Sequence, residues 1–269
     1  MNLPKFEDVH PGHNAGGYTS TNEEPRIHTA LIEAHHPEGF QRAAAISSGG
    51  EIPILVLLTR AEEVVAIDHS YMALAYAYLK VALLSHMGAV EFHKQMLKKD
   101  EPTMLRVQAE AKSLMPLVLR DKVYSHPSIL YGSEFWAVPI ETLELILSRL
   151  DKLTFVHGDL TDLTRYGVFD VLYISNALEH TGRSGKSPKM EDFRTIVKED
   201  GGLVLLTSAK SSTNAKYAGP FDGWEALNAT KGNIVGDMWK GQTWDYRLLR
   251  KCPMPPPVLG DTTNLPATL

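Results

Sequence analysis

Apolar positions in this chain come in short runs whose spacing switches between two periods. Runs of four to six consecutive apolar residues, bounded by Gly, Asp, Asn or Ser, alternate with stretches in which apolar residues recur every three or four positions. The first stretch, Met1 to Asn22, carries Pro4, Pro11, Gly12, Gly16 and Gly17 and reads as an irregular arm. Ile27, Leu31 and Ala34 at helical spacing predict a helix over Glu23–His36, ended by Pro37 and Gly39. Arg42–Ile46 predicts a strand, Ser47–Gly50 a tight turn, and Glu51–Thr59 an apolar helix with Pro53 in its first turn. Glu63–Ile67 predicts a second strand closed by Asp68, and Tyr71–Leu84 a long amphipathic helix. Val90–Leu150 reads as mostly helical, interrupted at Lys99–Pro102 and at Tyr124–Trp136. Met96, Met104 and Met115 fall on its helical segments as core filler. Strands are predicted again at Leu153–His157, Phe169–Ile174 and Leu203–Thr207, with a helix at Pro188–Lys198 before the third and a final strand at Trp244–Arg250.

Strands that alternate with helices predict an α/β fold, a doubly wound parallel sheet covered on both faces. The organisation expected is one catalytic domain over residues 1–252, with an N-terminal arm and helix over 1–39, a helical insertion over 90–150, and a Pro-rich tail over 253–269. A hydrophobic share of 43% and a charged share of 22% fit a globular chain. The 27 basic and 32 acidic residues leave a net charge of −5, which disfavours partners that are tracked by charge, nucleic acid and anionic membrane alike. The single cysteine, Cys252, rules out an intramolecular disulfide and favours a cytoplasmic setting. Residues 1–17 show no apolar core of a secretory signal, and no apolar run approaches 18 residues. Self-association as a homodimer is left open by composition.

Four loops follow four predicted strand ends: Ser47-Ser48-Gly49-Gly50-Glu51, Asp68-His69, Gly158-Asp159-Leu160, and Ser175 to His180. In an open α/β sheet ligands bind beyond the carboxyl ends of the strands, so these loops converge. Gly49 and Gly50 admit close approach to the backbone, and helix amides behind them favour a carboxylate or phosphate. Asp68 offers acceptor oxygens to a ribose diol, with His69 beside it. Asp159 can accept from an exocyclic amine while the Leu160 amide donates to a ring nitrogen. One Gly pair with one acid per strand fits S-adenosyl-L-methionine better than a dinucleotide, since G-x-G-x-x-G is absent. The competing structural explanation makes Gly49-Gly50 a simple turn and Asp68 a helix cap.

Ile46-Ser-Ser-Gly-Gly-Glu51, Ala66-Ile67-Asp68 and Leu79-Lys80, in that order, resemble the S-adenosylmethionine-dependent 3-amino-3-carboxypropyltransferases of the betaine-lipid-synthase type. Tyr18-Thr-Ser-Thr-Asn-Glu-Glu-Pro25 resembles that family's Tyr-Ser-Gln-x-Trp-Glu-Asp-Pro arm, and Asp170–Glu179 resembles its Asp-x-x-Tyr-x-Ser-Asn-x-x-Glu segment. The resemblance runs over residues 18–207 with a poorly matched middle. It implies a Rossmann-like sheet of the class I S-adenosylmethionine-dependent methyltransferase type. It also implies attack at Cγ of the methionine chain with release of methylthioadenosine, either onto a small-molecule acceptor or internally to give azetidine-2-carboxylate. The chain departs from the family where Ile52 replaces Asn, where Ser70–Ala73 replaces Asn-Pro-x-Gln, and where Asn22 replaces the arm's Trp. An ordinary small-molecule methyltransferase, or a nucleoside-binding module without turnover, stands as the alternative.

Tyr18 on the Gly-flanked arm could face a sulfonium through its ring, whereas Tyr173 inside an apolar strand reads as core. Glu179 and His180, with Asn176 in the same loop, are the candidates for deprotonating an acceptor, against helix capping and solvent exposure as their structural roles. Gly182–Ser187 is two residues short of a phosphate loop and reads as a solvated basic loop. His10, His13, His35 and His36 lack partners at metal spacing and read as surface residues, and no metal is expected. Cys252 is given no catalytic role.

Overall fold

The computed structural model describes residues 3–11, 30–31, 33–35, 38–124, 136–175, 189–199, 202–208, 220–233 and 243–252. Strands β1 (Lys5–Asp8), β2 (Arg42–Ile46), β3 (Glu63–Asp68), β4 (Leu153–His157), β5 (Val171–Ser175), β6 (Leu203–Ser208), β7 (Trp224–Asn233) and β8 (Thr243–Lys251) form one sheet of order β1-β4-β3-β2-β5-β6-β8-β7. β1 through β6 pair in parallel, and β8 and β7 close one edge antiparallel. The chain winds outward from β2 through β3 to β4, then returns to the other side of β2 at β5. The switch point therefore lies between the carboxyl ends of β2 and β5. This is the Rossmann-like α/β sheet of the class I S-adenosylmethionine-dependent methyltransferase type.

Successive residues of each central strand go to opposite faces, and the core divides accordingly. Ala43, Ala45, Val64, Ala66, Phe155 and Tyr173 share one cluster with the helices α1 (Glu51–Leu58), α2 (Tyr71–Lys98), α3 (Glu101–Ala111), α4 (Leu117–Arg120) and α5 (Ile140–Arg149). Ala44, Val65, Ile67, Val156, Leu172 and Ile174 face the other way, onto the 3₁₀ turns Leu160–Tyr166 and Met190–Phe193. Tyr173 is core, as its place in an apolar strand predicts. α1 is apolar on every side and is buried from Glu51 to Leu57. Met96, Met104 and Met115 are buried as expected.

Several elements differ from the sequence expectations. The irregular arm contains β1, a four-residue edge strand paired to β4 with Lys5 opposite Thr154 and Asp8 opposite His157. Its charged alternation hides it, because an edge strand needs only one protected face. The helix expected over Tyr71–Leu84 runs on to Lys98, with a break at Gly88, whose φ of 74° and ψ of 164° interrupt the helical backbone. By length and composition α2 could cross a membrane, yet 78% of its most apolar window is buried in the fold. In place of a helix over Pro188–Lys198, residues Met190–Phe193 form a 3₁₀ turn, and Val197 bridges to Phe169 just ahead of β5. β7, which no apolar run announces, is a strand at the outer edge, where one neighbour suffices. His10 is not a surface residue: its Nε2 lies 2.7 Å from Asp162 Oδ2, and it is half-buried.

Candidate nucleoside site at the switch point

The turn after β2 is built by backbone geometry that few residues tolerate. Ser48 has φ 45° and Gly50 φ 96°. A Cβ on Gly50 would lie 2.7 Å from Ala77 Cβ and 2.8 Å from Ala77 Cα, so glycine lets α1 start directly against α2. Gly50 N donates to Ser47 O at 2.7 Å, and Ser47 N to Ile67 O at 2.8 Å, which continues the β2–β3 ladder into the turn.

A buried ion pair fastens this turn from behind. Lys80, wholly buried on α2, donates to Gly49 O at 2.8 Å and to Glu51 Oε1 at 2.5 Å. Desolvation pushes the Lys80 ammonium down from its ordinary range, against the pull of Glu51. The Glu51 side chain thus faces the interior rather than a ligand, while its backbone amide stays at the N-terminus of α1. A lysine inside the otherwise apolar Tyr71–Leu84 run was the sequence signal for such a partner, since buried charge is paired.

Asp68 joins the loops. Its Oδ2 accepts from Ser48 N at 3.0 Å and its Oδ1 from Ser70 N at 2.9 Å. Its backbone carbonyl accepts from Gly158 N at 3.0 Å. Burial raises the Asp68 carboxyl above the ordinary range, opposed by His69, the Ser70 and Ser48 amides and His157. A carboxylate has about four acceptor positions, so two N–H donors do not exhaust it. The cap of α2 is Ser70, which accepts from Ala73 N at 3.2 Å; Asp68 braces the loops instead.

Gly158 to Leu160 follow β4 beside this loop. Asp159 and Asp162 form a capping box at the start of the 3₁₀ turn, with Asp159 N donating to Asp162 Oδ2 at 2.8 Å. Asp162 Oδ2 is also the oxygen that His10 engages. Ser175 ends β5 at the switch point. Tyr173 pairs with Leu205 and Ser175 with Leu206, so Ile174 is an extra residue that bends the strand end. His69 is half-buried next to Asp68. Ser47, Ser48, Gly49, Gly50, Asp68, Gly158 and Asp159 are therefore assembled at one sheet edge. Tyr18, Asn176, Glu179, His180 and the Gly182–Ser187 loop lie outside the described residues.

One buried polar group bears on a ligand and another does not. Ser47 Oγ is wholly buried and has no hydrogen-bond partner among the described residues. A buried hydroxyl is ordinarily paired, so an unpaired one behind a helix N-terminus fits a group that accepts or donates there. Asp170, by contrast, belongs to the opposite edge. It accepts from Arg42 N at 2.9 Å, Gln41 N at 3.1 Å and Lys198 Nζ at 2.9 Å, clamping the starts of β2 and β5.

No protein-family model and no curated protein matches the chain. Solved structures similar to it include an rRNA methyltransferase from Streptomyces viridochromogenes, 16% identical over 88% of this chain and 88% of its own, with a TM-score of 0.47. An N-methyltransferase from Bradyrhizobium japonicum is 10% identical over 86% of this chain and 99% of its own, with a TM-score of 0.44. An rRNA methylase from Streptococcus thermophilus is 9% identical over 87% and 99%, with a TM-score of 0.45.

Proposed function

We propose that the chain binds S-adenosylmethionine at the switch point and transfers its methyl group to a small-molecule acceptor. The observation that carries this reading is the Asp68 carboxylate, held by the Ser48 and Ser70 amides between the Gly turn and the Gly158–Leu160 loop. Asp68 would accept from the ribose hydroxyls, and the Gly158–Leu160 loop would line the base. The Ser47 hydroxyl and the first amides of α1 would hold the carboxylate of the amino-acid end. When bound, the cofactor supplies a sulfonium whose attached carbons are open to nucleophilic attack. A net charge of −5 supports a small acceptor over nucleic acid.

Methyl transfer is preferred over aminocarboxypropyl transfer because Ile52, where the aminocarboxypropyl pattern has Asn, is buried in the apolar core of α1. Ser70 is spent as the cap of α2. One observation favours aminocarboxypropyl transfer: Gly49, Glu51 and Lys80, separate pieces of that family's pattern, meet in one buried cluster. The choice is positional, since in-line geometry at one carbon excludes the other.

The test is incubation with S-adenosylmethionine and a panel of small amines, alcohols, phenols and thiols, followed by mass spectrometry. S-adenosylhomocysteine with a methylated acceptor is the expected product pair. Methylthioadenosine with an acceptor enlarged by the aminocarboxypropyl group would move the assignment to Cγ chemistry. Calorimetry showing no binding of S-adenosylhomocysteine would defeat the nucleoside reading outright.

A further inference from the structure

A second buried polar cluster lies behind the site. His157, the last residue of β4, is wholly buried. Its Nδ1 is 2.8 Å from Asp8 Oδ1, and its Nε2 is 3.3 Å from the carbonyl oxygen of His69. The Tyr71 ring stacks on it with centroids 3.7 Å apart and planes 18° from parallel. The Tyr71 hydroxyl donates to the second Asp8 oxygen at 2.7 Å. Asp8 therefore reaches the carboxyl edge from β1, the strand added outside β4.

The consequence is in the peptide that follows Asp68. The carbonyl of His69 and the N–H of Ser70 belong to one planar unit, so fixing one end fixes the other. Asp8 and the carbonyl both accept, so with both ring nitrogens protonated His157 donates to each and holds the carbonyl, while the N–H of the same peptide donates to Asp68 Oδ1 at 2.9 Å. A well-packed apolar residue would fill the same space at no greater cost than a buried polar network. What the network adds is direction.

We propose that Asp8 and His157 are positioning residues for the nucleoside half of the site. They orient the His69–Ser70 peptide and, through the Ser70 amide, the Asp68 carboxylate. The proposal rests on the reading of that site as nucleoside-binding.

Two amide substitutions separate positioning from packing. In His157→Gln the side-chain amide N–H stands where Nε2 donates and keeps the His69 carbonyl. In His157→Asn it stands where Nδ1 donates and keeps Asp8 but releases the carbonyl. Adenosine and S-adenosylhomocysteine are titrated calorimetrically into wild type and each variant, well below each melting temperature. His157→Asn is expected to weaken both ligands about tenfold, and His157→Gln to stay within about threefold of wild type, the scale of one buried hydrogen bond. Equal affinities in the two folded variants, whether both unchanged or both reduced, would overturn the proposal, because the two differ in whether the His69 carbonyl keeps its donor. Should neither variant fold, Asp8→Ala decides: its side chain is 23% exposed, and about a fivefold loss for both ligands is expected, with no loss overturning the proposal. Wild type that binds neither ligand overturns the nucleoside reading itself, and this proposal with it. Wild type that binds both while the variants behave alike overturns the proposal alone.

Discussion

Gly50→Ala perturbs the site at its tightest point. The new Cβ would stand 2.7 Å from Ala77 Cβ and 2.8 Å from Ala77 Cα, where ordinary contact begins at 3.4 Å. The second of these is backbone of α2, so a side-chain rotation cannot relieve it; α1 must retreat from α2. Forcing extra volume into such packing costs about 1–3 kcal/mol. An L residue held at φ 96° adds about 1–2 kcal/mol. Together these come to about 2–5 kcal/mol, which for a chain of this size lowers the melting temperature by roughly 5–15 °C. The same retreat moves the amides at the start of α1, so affinity for S-adenosylhomocysteine should fall more than tenfold. Gly88→Ala is the control: its φ is 74° but nothing lies within 4 Å of the added Cβ. It should cost about 1–3 kcal/mol from backbone strain alone and leave ligand affinity unchanged. Circular-dichroism melts and calorimetric titrations of the two variants check both parts. Gly50→Ala melting no lower than Gly88→Ala, with affinity intact, would refute the close-packing argument.

Lys80→Met removes the ammonium from a buried carboxylate and should destabilise the chain by about 3–5 kcal/mol in urea unfolding, whereas Lys80→Met with Glu51→Met should recover most of that loss; a double variant no better than the single one would deny that the pair is electrostatically coupled. Ser47→Ala should leave stability within about 0.5 kcal/mol of wild type, because the hydroxyl has no partner to lose among the described residues. The same change should weaken S-adenosylhomocysteine about threefold to tenfold without affecting adenosine; equal losses for both ligands would remove Ser47 from the amino-acid end. Asp68, raised by burial above its ordinary 3.8, keeps its proton to higher pH in the folded chain than in the unfolded one. Its contribution to stability is thus complete below 3.8 and is lost as pH rises through the raised value. Ribose recognition needs the ionised form, so affinity for adenosine should climb as pH rises from 3.8 through that raised value while Asp68→Asn stays weak and flat; a wild-type titration with no rise above 3.8 contradicts the role given to Asp68.

Local pattern alone determined the central strands and the turn. Ala43–Ile46, Val64–Ile67 and Phe155–Val156 are apolar on both sides because both faces of a parallel sheet are covered, and such runs are visible without knowing their neighbours. The Ser47–Gly50 turn and Asp68 were legible for the same reason, since small residues and an acid at strand ends are local signals. The sequence also carried the lysine at position 80, but not its partner, 29 residues away at Glu51. β1 left no trace in the periodicity: Lys5-Phe6-Glu7-Asp8 is an edge strand whose pairing is supplied by β4, and Asp8 meets His157 across 149 positions. The expected helix over Pro188–Lys198 failed because Phe169 draws Val197 into a bridge beside β5, a pairing that propensity does not contain. Composition and spacing specify which groups must be buried or turned. Which buried acid meets which base, and therefore how Asp68 is aimed, is decided by strand order, because only the assembled sheet brings the ends of β1, β3 and β4 together.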